Sequence, residues 1–120
     1  MRLLALRGAT TCAENTKAEI EAKTQKLVAE MLDRNAISHD DLVSIIFTAT
    51  DDLTAEFPAT SARALGLGDV PLLCARELGI AHGMKQTIRV LMHFYGEQRR
   101  GDLHHVYLEG ARSLRDDLPE

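Results

Sequence analysis

The 120-residue chain is predicted to form one α+β (mixed α/β) domain, in which one long helix and short helices pack on a mixed sheet of roughly five strands. Two features predict this class. Several short runs are rich in β-branched residues, and the clearest of them alternate apolar with polar positions. One longer segment instead repeats its apolar residues at helical spacing. No repeat, linker or low-complexity stretch divides the chain, so residues 1–120 are expected to be a single domain, with a mobile charged tail from about residue 111.

Five segments are predicted as strands because they are β-branched and aromatic in composition or alternate in polarity. They are Arg2 to Thr11, Leu42 to Thr50, Val70 to Ala75, Gln86 to Tyr95 and His104 to Leu108. In the fourth, one face is purely apolar and consists of Ile88, Val90, Met92 and Phe94.

The long helix is expected from Thr16 to Arg34. Thr16 and Glu19 have the spacing of a capping box, and Asn35 can cap the other end. A shorter helix is expected from Ala59 to Leu65, between the second and third strands. Pro58 suits its first turn, and Gly66 can end it.

Arg89 lies inside the fourth predicted strand between apolar neighbours, where an unpaired charge is costly. An anion is therefore expected to meet it. Glu77, just after the third strand, is one candidate, a bound ligand is another, and both together are a third.

The predicted helices and strands leave one face of the sheet uncovered. A single long helix can cover only one face, and the other still carries Leu3, Leu91 and similar residues. In so small a chain a partner subunit is the expected cover, so a cyclic homo-oligomer is predicted.

Composition excludes several classes of function. The net charge is -4 and no basic block is present, so neither nucleic acid nor a membrane surface is an expected partner. No apolar run approaches membrane-spanning length, and the N-terminal one is too short for a secretory signal. The cysteines, Cys12 and Cys74, do not form a disulfide framework, so a cytoplasmic protein with reduced thiols is expected.

The chain has no zinc-ligand spacing, phosphate-binding loop or serine elbow, and no metal or cofactor is expected. Cys74 is more readily a small buried apolar residue than a nucleophile. What remains is Glu77 and Tyr107 together with Arg7, Arg63, Arg89 and Arg115. Guanidinium groups grip carboxylates through two parallel hydrogen bonds, so several in one cleft would suit a small dianion. Ordinary salt bridges are the alternative, and spacing alone slightly favours them.

Four motifs, in order along nearly the whole chain, resemble the monofunctional, homotrimeric chorismate mutases of the mixed α/β pseudo-barrel class. The motifs are Leu6 to Thr11; Phe47 to Leu53 with Phe57 to Ala59; Val70 to Leu72 with Cys74, Glu77 and Ile88 to Leu91; and His105 to Glu109 with Leu114 and Arg115. The resemblance implies a homotrimer with a barrel-like core and an active site in each cleft between subunits. It also implies an isomerase of the shikimate route that converts chorismate to prephenate, for phenylalanine and tyrosine, without a cofactor.

The resemblance further implies individual roles. Arg7 and Arg89 would bind carboxylates, Arg89 would also contact the ether oxygen of the breaking bond, and Glu77 would accept a hydrogen bond from the ring hydroxyl. These three are the expected catalytic residues. The expected substrate-binding residues are Phe57, Ala59, Thr60, Arg63, Leu73, Cys74, Tyr107, Leu114 and Arg115, of which Phe57, Ala59 and Arg63 would come from the neighbouring subunit. Some relatives have a basic residue at the position of Thr60.

An alternative function from another class is a non-catalytic trimeric domain that binds small carboxylates for regulation. It would share the clefts and arginines but make no use of Glu77. A weaker alternative is another lyase or isomerase that acts on a chorismate-like acid.

Overall fold

A computed structural model of the chain describes residues 1–114. Its centre is a mixed sheet of five strands: β1 (Arg2–Thr11), β2 (Leu42–Ala49), β3 (Leu72–Arg76), β4 (Thr87–Gly96) and β5 (Val106–Tyr107). Their order in the sheet is β3-β2-β4-β1-β5; β4 runs antiparallel to both neighbours, while the outer pairs, β2–β3 and β1–β5, are parallel. The predicted α+β class and strand number are confirmed.

The long helix, α1 (Lys17–Arg34), is also confirmed, with Thr16 and Asn35 as its caps. The Thr16 hydroxyl accepts a hydrogen bond from the Glu19 N–H at 3.2 Å. The Glu19 carboxylate accepts from the Ala13 N–H at 2.7 Å, outside the capping box. Glu19 therefore ties the chain that enters the helix to its first turn.

The core lies between α1 and one face of the sheet. The four apolar residues predicted for one face of β4 are all buried there. Gly8 on β1 lies directly under α1, since a Cβ atom at this position would be 2.5 Å from Met31 Sδ. Glycine thus lets the helix approach the sheet closely.

The second helix, α2 (Pro58–Ala62), starts at the proline and passes at Arg63 into a wider π-type turn, Arg63–Leu67. Gly66 in this turn has a φ of 85°, which glycine adopts without strain. The third strand begins at Leu72 rather than Val70. The Val70 N–H instead closes a turn onto the Leu67 carbonyl at 3.1 Å, which delays the start of pairing.

The opposite face of the sheet is largely open. Its residues Leu3, Leu73 and Tyr95 are 58%, 61% and 46% exposed, and neither α1 nor α2 packs against them. Among residues 1–114, no helix has both the length and the apolar character that crossing a membrane requires. In the expected tail, Ala111 is fully buried within a short 3-10 helix, Glu109–Ser113, while Arg115 lies outside the described residues.

Candidate active site

A cleft of about 330 Å³ on the open face brings four of the predicted residues together: Arg7, Glu77, Arg89 and Tyr107. Strand register explains why they meet. Ala9 on β1 pairs with Arg89 on β4 and with Tyr107 on β5, and Arg89 pairs in turn with Thr48 on β2. Residues that pair directly across strands share a face of the sheet, so one row crosses four strands at the floor of the cleft.

Arg89 and Glu77 contact each other in this cleft. Arg89 Nε lies 3.3 Å from Glu77 Oε1, with the arginine side chain about half exposed. Of the anions considered for Arg89, Glu77 is thus the one that the chain itself supplies. The Thr48 hydroxyl donates a hydrogen bond to the other oxygen of the Glu77 carboxylate. Sequence reasoning missed Thr48, because its place in an alternating strand does not by itself distinguish it from other threonines.

Tyr107 is 4% exposed and forms a small cluster with Ala9 and Ala111, against which Leu114 packs. Leu114, one of the expected substrate-binding residues, therefore lies next to a residue that lines the cleft. Arg115 follows beyond the described residues.

The residues predicted from α2 and its flanks do not line this cleft in their own chain. Phe57 and Cys74 line a separate pocket of about 400 Å³, and the Ala59 N–H donates to Cys74 Sγ at 3.4 Å. Thr60 lies in α2, and Arg63 is exposed just after it. A single chain therefore separates the predicted residues into two groups.

Leu73 and Cys74 face opposite sides of the edge strand β3. Leu73 pairs with Ile46, which lines the arginine cleft, whereas Cys74 pairs with the fully buried Phe47. The Glu77 N–H donates to the Ala49 carbonyl, and the Pro71 carbonyl accepts from the Ile45 N–H. The backbone groups of Glu77 and Pro71 therefore point toward β2. Because these directions alternate along a strand, the backbone N–H and C=O of Cys74 point away from the sheet. Cys74 therefore does not present its thiol to the open face of the sheet.

Cys12 is a buried thiol, and its burial should make it slow to react. Burial, with Glu19 as a further contributor, raises the pKa of Cys12 from 9.0 to about 11. The thiolate fraction at pH 8 is then roughly a hundredfold below that of an ordinary thiol, so we expect alkylation of native Cys12 to be slower by at least this factor than in urea. Mass spectrometry of iodoacetamide-treated protein measures both rates, and equal rates would contradict the burial of the thiol.

Across residues 1–114, no group of three or more His, Cys, Asp or Glu side chains is arranged to hold a metal ion. The cleft offers guanidinium groups, a carboxylate and a phenol, all carried by strands or by residues adjoining them. The fold and cleft together define an α+β domain that can hold a small organic anion against one face of its sheet.

Sequence comparison then gives the family. The chain belongs to the chorismate mutase type I family, whose profile matches residues 3–118. It is 42% identical over 114 residues to the chorismate mutase AroH of Thermus thermophilus, an alignment that covers 94% of this chain and 93% of that protein. It is 38% identical over 119 residues to the chorismate mutase AroH of Bacillus subtilis, with 98% and 94% covered.

A solved structure, a chorismate mutase from Clostridium thermocellum, matches with a TM-score of 0.89 and 46% identity, over 91% of this chain and 97% of that one. The chain is thus a chorismate mutase, an isomerase of aromatic amino acid biosynthesis, as the sequence motifs predicted. The non-catalytic carboxylate-binding alternative is not favoured.

Proposed function

We propose that the arginine cleft is where the chain rearranges chorismate to prephenate, with Arg89 and Glu77 as the central residues. The observation that supports this most directly is their mutual contact on the open face, Nε to Oε1 at 3.3 Å. Arg89 donates to the ether oxygen of the breaking bond, and Glu77 accepts from the ring hydroxyl. The substrate inserts between groups that hold each other in place before it binds.

The charges in the cleft favour an additional cationic residue from outside. Chorismate carries two carboxylates, whereas Arg7 and Arg89 minus Glu77 leave the described cleft with a net charge of about one positive unit. Arg7 binds one carboxylate, and Tyr107 helps to hold the other. We assign the missing cation to Arg63 of a neighbouring subunit, with Arg115 as a second contributor.

The chemistry requires no nucleophile and no proton transfer. One C–O bond breaks while one C–C bond forms within the same molecule, so the enzyme must hold the enolpyruvyl side chain over the ring. As the C–O bond breaks, negative charge develops on the ether oxygen. A guanidinium fixed in a partly desolvated cleft stabilises that charge more in the transition state than in the ground state. Thr48, through its bond to Glu77, keeps the carboxylate oriented during this step.

We further propose that the functional unit is a homotrimer whose clefts lie between subunits. The exposed residues Leu3, Leu73 and Tyr95 form an apolar surface on the open face that a second copy would cover. Phe57, Ala59, Thr60 and Arg63 lie away from the arginine cleft of their own chain, which is the arrangement expected if they serve a neighbour. A cytoplasmic location is proposed alongside, and cell fractionation would check it.

Mixing two variants of low activity tests whether the site is shared between chains. We expect Arg89→Ala and Arg63→Ala each to lower turnover of chorismate, because each removes one guanidinium from the substrate. When the two are unfolded together and refolded as mixed trimers, about one site in four should combine an intact cleft with an intact Arg63. Activity of the mixture, followed by prephenate formation, should therefore rise to roughly a quarter of the wild-type value.

The matched control mixes Arg89→Ala with Arg7→Ala. Both residues line the cleft of one chain, so no mixed site regains both of them and activity should stay low. Recovery in this control, or none in the first mixture, would contradict the shared site.

A further inference from the structure

The short pairing between β1 and β5 begins at Gly8 and does not include Arg7. Gly8 and Ala9 pair with Val106 and Tyr107, and the Leu108 N–H donates to the Ala9 carbonyl at 2.9 Å. On the other side of β1, the Cys12 N–H donates to the carbonyl of Gln86, the residue just before β4. Since these directions alternate along a strand, the Arg7 N–H points toward β5 rather than β4. The next acceptor in a regular parallel ladder would be the carbonyl of His104.

That carbonyl is instead bound to the end of α1. Asn35 Nδ2 donates to the His104 carbonyl at 2.9 Å, and the His104 N–H donates to Asn35 Oδ1 at 2.7 Å. The amide of Asn35, which is itself buried, thus holds the chain just before β5 on both sides of His104. The bond that a regular parallel ladder would make to the Arg7 N–H is therefore missing.

The side chain of His105 supplies the missing bond. Its Nδ1 accepts a hydrogen bond from the Arg7 N–H at 3.0 Å. This geometry requires an unprotonated Nδ1, so the ring is neutral with its proton on Nε2. Burial lowers the pKa of His105 below its ordinary value of 6.5, which keeps the ring in this state at neutral pH.

We propose that His105 is a positioning residue for Arg7. Its imidazole takes the place of a backbone acceptor and fixes the main chain at the residue whose guanidinium enters the cleft. His105 acts through Arg7 and does not line the cleft itself. This inference rests on the proposed role of Arg7 as a carboxylate ligand.

Protonation of His105 would remove the acceptor and place a positive charge against the Arg7 N–H. The elements packed against β5 are β1 and α1, and Glu30 and Arg34 on α1 already pair with each other at 2.8 Å. The charged or titratable residues on these two elements and beside His105 are Arg2, Arg7, Lys17, Glu19, Glu21, Lys23, Lys26, Glu30, Asp33, Arg34, His104, Tyr107 and Glu109. Burial is the cause that lowers the pKa of His105. The positioning bond is therefore present above pH 6.5 and lost as the pH falls through the lower pKa of the folded protein.

Two substitutions at one position separate positioning from packing. His105→Leu removes the acceptor and keeps an apolar side chain, and we expect kcat/KM for chorismate to fall about tenfold, mainly through KM, because Arg7 loses its fixed direction. His105→Asn keeps an oxygen acceptor near the place of Nδ1 but does not titrate. We expect it to stay within about threefold of wild type at pH 7.5 and to lack the wild-type loss of kcat/KM below pH 6.5.

His39→Asn is the matched control, since His39 also holds a hydrogen bond through its ring, to Asp69 at 2.6 Å on another part of the surface. It should keep the wild-type pH profile. Wild-type kcat/KM in His105→Leu, or an unchanged acid limb in His105→Asn, would overturn the positioning role. Arg7→Ala, measured in parallel, distinguishes a failure of the inference about His105 from a failure of the proposed role of Arg7. If it is impaired while His105→Leu is not, only the inference about His105 fails, whereas full activity of Arg7→Ala overturns the proposed role of Arg7 and leaves His105 nothing to position.

Discussion

Replacing Arg89 by lysine should lower kcat for chorismate by about 10²- to 10³-fold, the typical effect of removing one preorganised donor to a developing oxyanion. Lysine keeps the positive charge, but it lacks the planar set of donors that can contact Glu77 through Nε and still reach a ligand oxygen. Because Arg89 is held in β4 between β1 and β2, the surrounding strands cannot shift to compensate. The loss of chorismate absorbance under saturating substrate measures the effect directly.

The same substitution at Arg34 is the matched control. Arg34 also contacts a carboxylate through Nε, that of Glu30 at 2.8 Å, but it does so on the exposed end of α1. We expect Arg34→Lys to leave kcat unchanged and to alter stability little, since exposed ion pairs contribute about 0–1 kcal/mol. If Arg89→Lys turned over chorismate within a few-fold of wild type and had the wild-type free energy of unfolding, the proposed role of Arg89 at the breaking bond would be contradicted.

Replacing Phe47 by alanine should lower the free energy of unfolding by about 3–5 kcal/mol. Phe47 is fully buried in the core under the helices, where β2 pairs it with Val90 on one side and Cys74 on the other. Neighbours fixed by strand pairing cannot collapse fully into the space left by the ring. Denaturant unfolding at fixed protein concentration measures the change, and the concentration must be held constant because assembly would contribute to stability.

Phe57→Ala supplies the contrast. Its side chain is 67% exposed, so its removal leaves little cavity within the chain. We expect a small change in the unfolding of the single chain and, if Phe57 closes a neighbour's cleft as proposed, a rise in KM for chorismate. A loss of stability equal to that of Phe47→Ala would contradict the exposed position of Phe57.

Local patterns were sufficient to predict most elements of the fold. The spacing of Thr16, Glu19 and Asn35 marked the ends of α1 because capping depends on neighbours within one turn. The apolar face of β4 followed from a period of two. The start of β3 was misplaced by two residues, because Val70 is as apolar as a strand residue but closes a turn against Leu67.

The candidate site was predictable in part from residue type. An arginine inside an apolar strand indicated an anion, and the family motifs suggested the proposed roles of Glu77 and Tyr107. Thr48 could not be selected, because many threonines alternate in strands and only the pairing of β2 with β4 places this one beside Glu77. His105 could not be selected either, because only the tertiary structure brings its ring to the Arg7 N–H.

The sequence by itself established an α+β chain with one long helix, an uncovered sheet face and an arginine in need of an anion. These conclusions depend on local periodicity and on the cost of burying charge, which operate within a few residues of each other. Tertiary structure brought Arg7, Arg89 and Tyr107 into one cleft, though they are far apart in the chain. Strand order and register determine such contacts, and both depend on hydrogen bonds between segments that no local pattern specifies. The same long-range pairing brings His105 to the backbone of Arg7, nearly one hundred residues earlier in the chain.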